Sequence, residues 1–204
     1  LLYLGLFVLV TMHEFGHALA CRQVGGRADR IVLWPLGGIA FVSPPPRAGA
    51  MLWSIAAGPM VNLFLVPILT FAQHAAGRAG WVNSNPDAYL VLLWLWRINL
   101  GLLLFNLLPI YPLDGGQIVR ALLWFPLGQI RSLFIATGIG FVGGALLILF
   151  ALWQRSIWIG IMALFLLSQA GLGWRQAQYL KAEAAEALRV PPNDAHLPEK
   201  KAVL

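Results

Sequence analysis

Polar and apolar positions do not alternate along this chain at the period of a half-buried strand or a two-faced helix. The apolar residues come in blocks. Five of these approach the ~20 residues a helix needs to cross a bilayer: Leu1 to Ala20, Ala50 to Gln73, Tyr89 to Leu108, Ser132 to Leu152 and Ile157 to Gly173. The pattern predicts an α-helical polytopic membrane protein with about five spans. Between the first two blocks, Ile31 to Val42 is too short and too interrupted by Pro35, Gly37 and Gly38 to span, and predicts a β-hairpin or re-entrant strand pair. A second irregular stretch, Pro109 to Asp114, follows the third block and runs into a short apolar helix, Gly115 to Phe125. Backbone outside a helix is tolerated at membrane depth only where it lines a cavity or is covered by protein. Both irregular pieces are therefore candidate walls of an active site. The character changes at Trp174: Arg175 to Arg189 predicts a polar, Ala-rich helix, and Pro191 to Leu204 a disordered tail. Residues 1–173 thus read as a membrane domain with its core in about 1–125, and 174–204 as a polar extension.

Composition supports the membrane reading and narrows the partners. Hydrophobic residues make up 59% of the chain and charged residues 11%, so the lipid bilayer is the expected surrounding. The net charge of +6 does not mark a nucleic-acid surface, because the basic residues are scattered over loops and the tail. They report topology instead. Eleven of the fourteen Lys and Arg (Arg22, Arg27, Arg30, Arg47, Arg120, Arg131, Arg175, Lys181, Arg189, Lys200, Lys201) fall on the side reached after the first block. By the positive-inside rule that side is cytoplasmic, and so is the C-terminus. Five spans then leave Leu1 outside, and one more helix is expected upstream. The first block lacks a basic n-region and is no cleavable signal. Cys21, the single cysteine, excludes an internal disulfide or a Cys-x-x-Cys zinc ribbon.

Inside the first block stands His13-Glu14-Phe15-Gly16-His17. On a helix the two histidines lie one turn apart on one face, where both imidazoles can reach one zinc ion. Glu14 projects beside the metal and can take a proton from a zinc-bound water. Ionisable groups in a span are costly, so three within five residues mark function rather than packing. A catalytic zinc has three protein ligands, and the candidates for the third are few. Cys21 continues the series after His17 but stands two turns, about 12 Å, along the axis from His13, which suits a small buried packing residue better. His74 and His196 fall at a span end and in the tail, and Asp29, Asp87 and Asp194 in loops or tail. Asp114 alone among the aspartates lies at membrane depth, between the helix-breaking Pro109 and Pro112 and the pair Gly115-Gly116. Its competing reading is an N-cap for the helix that follows.

Three motifs in order, HEFGH, Ala57-Gly58-Pro59-Met60-Val61-Asn62 and Asn106-Leu-Leu-Pro109-Ile-Tyr-Pro112-Leu-Asp114-Gly115-Gly116, with Pro35-Leu36-Gly37-Gly38 between the first two, resemble the site-2 protease family of intramembrane zinc metalloproteases. The resemblance covers about Leu1 to Leu123. It implies one zinc per chain held by His13, His17 and Asp114, with Glu14 as catalytic base. It also places Asn62 and Asn106 near the active site as substrate or oxyanion contacts, and Leu36, Gly37 and Gly38 in a strand that holds substrate. The expected activity is hydrolysis of a peptide bond in or near a transmembrane helix of a membrane-protein substrate, in a prokaryotic plasma membrane with the site toward the cytoplasm. A regulatory membrane partner of unknown identity belongs to the same picture. The expected branch is one without a PDZ or CBS domain in this chain. Two other classes fit part of the pattern. An ion-binding transporter would use broken helices and buried His and Asp but has no need of Glu directly after the first His. A non-catalytic membrane scaffold would be expected to have lost a ligand or the base.

Overall fold

The apolar blocks become five long helices, three of them packed on a fourth and the last packed on one of those three. The computed structural model describes residues 1–34 and 37–187, with side chains outside 31–40. The elements run α1 (Leu2–Gln23), β1 (Arg27–Trp34), β2 (Gly37–Ser43), α2 (Ala48–Arg78), α3 (Trp81–Ser84), α4 (Pro86–Asn106), α5 (Asp114–Trp153) and α6 (Ile157–Ala187). Five of these helices, all but the short α3, are long and apolar enough to cross a membrane. Large apolar side chains such as Phe64, Phe71, Leu104, Leu149 and Phe165 stand exposed on them, as expected where lipid rather than water is the solvent.

α2 packs against α1, α4 and α5, and α5 against α6. The facing stripes are periodic. Buried positions on α1 are Leu9 and Val10, His13 and Glu14, His17 and Ala18, then Ala20 and Cys21. Those on α2 are Ala50, Ser54 and Ile55, Gly58 and Pro59, and Asn62. Both recur at the three-to-four residue spacing of a single helix face, and each stripe carries polar groups into the contact. The approach is close: a Cβ on Gly16 would lie 2.7 Å from the Ala57 carbonyl oxygen.

The strand pair anticipated between the first two spans is an antiparallel hairpin that pairs Trp34 with Gly37, Leu33 with Gly38 and Arg27 with Ser43, with a register shift between Ala28 and Arg30. It lies against α1. Pro35 and Leu36, including the expected substrate contact at Leu36, lie outside the described residues, as does the tail from residue 188.

Two boundaries differ from the sequence reading. The short helix and the fourth span are one element, α5, bent at Gly128, whose φ of 80° and ψ of 169° leave the helical region. Only glycine takes that conformation without steric cost, so the bend sits where Pro126 and Gly128 permit it. α6 also continues without a break from the apolar block through Arg175 to Ala187, so the expected boundary at 173 is a change of surface polarity along one helix.

Candidate metal centre

Three side chains from two helices converge where α1, α2 and α5 meet. His13 Nε2 lies 3.0 Å and His17 Nε2 3.4 Å from Asp114 Oδ2, and the two Nε2 atoms are 3.1 Å apart. All three residues are buried. Asp114 reaches them because Leu107 to Leu113 folds back over the start of α5. The Leu113 amide bonds Ile110 O at 2.8 Å, and Gln117 Nε2 bonds Pro112 O at 2.9 Å. Gly115 and Gly116 make that fold possible, since a Cβ at either would run into the main chain of Leu107, Leu108, Ile110 or Tyr111. The N-cap position is Leu113 with no side-chain cap bond, so the Asp114 carboxylate does not serve as a cap and turns to the imidazoles instead.

The far nitrogens of both rings are committed. His17 Nδ1 lies 2.9 Å from the Ser54 main-chain oxygen, which can only accept, so Nδ1 carries the proton. His13 Nδ1 lies 2.6 Å from Asn62 Oδ1. With one proton on each ring, held at Nδ1, the Nε2 atoms of the neutral imidazoles present lone pairs toward each other and toward Asp114 Oδ2. One proton could bridge only one pair of these acceptors; a divalent cation satisfies all three. Zinc–ligand bonds of ~2.0–2.2 Å set tetrahedral ligand atoms about 3.3–3.5 Å apart, close to the edges of this triangle. The donor set, two neutral imidazoles and a carboxylate, also suits zinc. Glu14 is buried on α1 between the two histidines in sequence, at 8% exposure.

Other expected residues fall elsewhere. Cys21 is fully buried, with Sγ 3.4 Å from Arg27 O, and packs under the hairpin rather than joining the donors. His74 is exposed and bonds Thr70 O, while His196 and Asp194 lie outside the described residues. Asn106, half-buried, ends α4 at the mouth of the Leu107–Leu113 loop. Asn62, expected near the site as a substrate or oxyanion contact, is found hydrogen-bonded to His13. It is 0% exposed and supports His13 from behind, because it sits on the α2 stripe that faces the outer edge of the imidazole. Gly37 and Gly38 open β2 next to its partner strand.

Residues 1–113 match the family model for M50B-like peptidases, and residues 81–150 match that of peptidase family M50. The chain belongs to the M50 peptidases. A solved structure of the site-2 protease from Methanocaldococcus jannaschii superposes on this M50 chain with a TM-score of 0.62 at 28% identity, covering 84% of this chain and 76% of that one. A zinc metalloprotease of the same organism is 34% identical over 164 residues, 80% of this chain and 46% of that protein. A putative zinc metalloprotease of Synechocystis is 34% identical over 198 residues, covering 91% of this chain and 51% of that protein. The chain thus spans about half the length of these two curated relatives. Over a shorter relative, the putative zinc metalloprotease YwhC of Bacillus subtilis, it is 30% identical and covers 84% of that protein.

The residue missed from sequence is Asn99. It lies in the middle of α4, fully buried, and bonds Asn62 from the side away from His13. A lone amide within an apolar span was the available signal, because polar groups at that depth need partners.

Proposed function

We propose that this M50 peptidase is a zinc-dependent intramembrane endopeptidase that cuts a peptide bond in or near a transmembrane helix of a membrane-protein substrate. His13, His17 and Asp114 hold the metal, and Glu14 is the general base. The observation that carries this reading is the convergence of three buried acceptor atoms, all within 4.8 Å of one another; Glu14, the residue after His13, is buried as well. Zinc at that position supplies Lewis acidity to a carbonyl and lowers the pKa of water to about 7.

The protein's own groups do the rest. The Glu14 carboxylate takes a proton from the attacking water and later delivers it to the departing amine. Asn62 and the Ser54 carbonyl keep the two rings turned so that Nε2 faces inward. The distribution of Lys and Arg supports a cytoplasmic position for the α1 end that carries HEFGH, and so a short path for water.

Peptide bonds in a helix are shielded by their own hydrogen bonds, so the substrate must be drawn out before it is cut. The hairpin against α1 offers a strand edge for that purpose, in the strand-addition mode of peptide recognition. Cysteines placed singly at Gly37 to Ala40 in a Cys21→Ala background are expected to crosslink to substrate near the cut.

The activity is tested by comparing membrane-protein fragments in cells that carry either the wild type or Glu14→Gln. Fragments with ends inside or beside spans, present only with the wild type, are expected. Identical fragment sets would overturn the proposal.

A further inference from the structure

Asn99 of α4 and Asn62 of α2 are both fully buried, and their amides form a chain that ends on His13. Asn99 Nδ2 lies 2.9 Å from the main-chain oxygen of Asn62. Asn62 Nδ2 lies 2.8 Å from Asn99 Oδ1, and Asn62 Oδ1 lies 2.6 Å from His13 Nδ1. The direction of every bond follows from one end. A main-chain carbonyl can only accept, so the Asn99 group facing it is the NH₂. Asn99 then offers its oxygen to Asn62, which must answer with its NH₂ and turn its own oxygen to His13. That oxygen in turn requires a proton on His13 Nδ1, which in the neutral ring leaves Nε2 with a lone pair.

We propose that Asn99 is a positioning residue for the metal centre: through Asn62 it holds His13 in the one tautomer whose Nε2 can bind a cation. The inference rests on the reading of His13 as a metal ligand. An amide is nearly symmetric in shape, and without Asn99 the Asn62 side chain can turn over at little steric cost. Its NH₂ would then face His13 Nδ1, draw the ring proton to Nε2, and block one of the three donors. The side-chain bonds of Asn99 run to Asn62, and through it to His13. Its leverage comes from being anchored to the backbone of the neighbouring helix, where an oxygen cannot be mistaken for a donor. The competing account is that the Asn pair only glues α2 to α4, since buried amides join helices in membranes by about 0.6–2 kcal/mol.

Two readouts separate the accounts. The first is ¹⁵N NMR of histidine-labelled, metal-free protein, with His13 assigned through a His13→Gln variant. The wild type should show His13 protonated at Nδ1, whereas Asn99→Ala and Asn99→Ser should show a shifted or mixed tautomer. The second is zinc affinity, measured against a chelator on protein whose helicity matches the wild type. Loss of Asn99 should weaken binding about 10–100-fold, the usual cost of losing the support behind a ligand. Asn62→Asp should restore it in the Asn99→Ala background, because a carboxylate has no wrong way round. Unchanged tautomer and zinc affinity in whichever Asn99 variant folds would overturn the proposal in favour of glue. If neither variant folds, a wild-type spectrum with His13 protonated at Nε2 overturns it and one at Nδ1 supports it. A wild type that binds no zinc but keeps the Nδ1 proton would sink the metal reading and leave the relay standing.

Discussion

Gly58 lies against the imidazole of His17 so closely that a β-carbon there would overlap Nε2 and Cε1 of the ring. The ring is already held from its other nitrogen by Ser54 O, so it has little freedom to step aside. Gly58→Ala should therefore displace His17 and weaken zinc binding about tenfold or more, in line with overpacking costs of about 1–3 kcal/mol. Gly101→Ala serves as the control, since nothing lies within 4 Å of a Cβ at that position. Chelator competition on both proteins decides the matter: equal zinc affinities would show that the contact relaxes freely.

The carboxylate and the thiol should separate cleanly. Asp114→Asn preserves shape but replaces an anionic ligand with a weak neutral one, and zinc affinity should fall by at least about 100-fold, more than the loss of an outer-shell partner. Cys21→Ala removes a sulfur that bonds the Arg27 carbonyl and is no member of the donor group, and should leave zinc stoichiometry at one per chain. Metal analysis by mass spectrometry reads both.

Glu14→Gln should retain zinc and lose turnover by about 10²–10⁴-fold, the range of a general acid–base group. The combination is the informative part. Loss of zinc together with activity would make Glu14 a structural partner of the centre rather than its base.

These expectations rest on parts of the molecule that the sequence revealed unequally. The spans, the hairpin and the three donors were legible because they are matters of composition and order: long apolar runs, glycine and proline between them, ionisable groups where none is tolerated idly. Rotation was not legible. A helix apolar on nearly every side carries no stripe to say which face meets which neighbour. The same sequence that set Asn62 near the motif helix therefore could not say that it bonds His13, nor that Asn99 backs it. The join at Gly128 was hidden for a related reason, since a bend and a break look alike in a string of letters.

Zinc removal should also be felt by the fold. At free zinc a thousandfold above the dissociation constant, binding to the native state alone adds about 4 kcal/mol of stability. Thermal unfolding in detergent should thus shift upward on adding zinc to chelator-treated wild type and shift little for Asp114→Asn. Magnesium should not substitute, because imidazole suits zinc and not magnesium. Equal melting curves with and without zinc would remove the metal from the protein's stability.

The donors come from α1 and from α5, each resting on α2. At about 5–20 residues made per second, Asp114 leaves the ribosome on the order of ten seconds after His17. For that interval the HEFGH helix would stand in the membrane with two of the three proposed ligands, too few to hold a metal firmly. On the proposed function, the order of residues would impose a period of silence during the protein's own insertion, when other newly made helices crowd the same bilayer and an early start would be least discriminating.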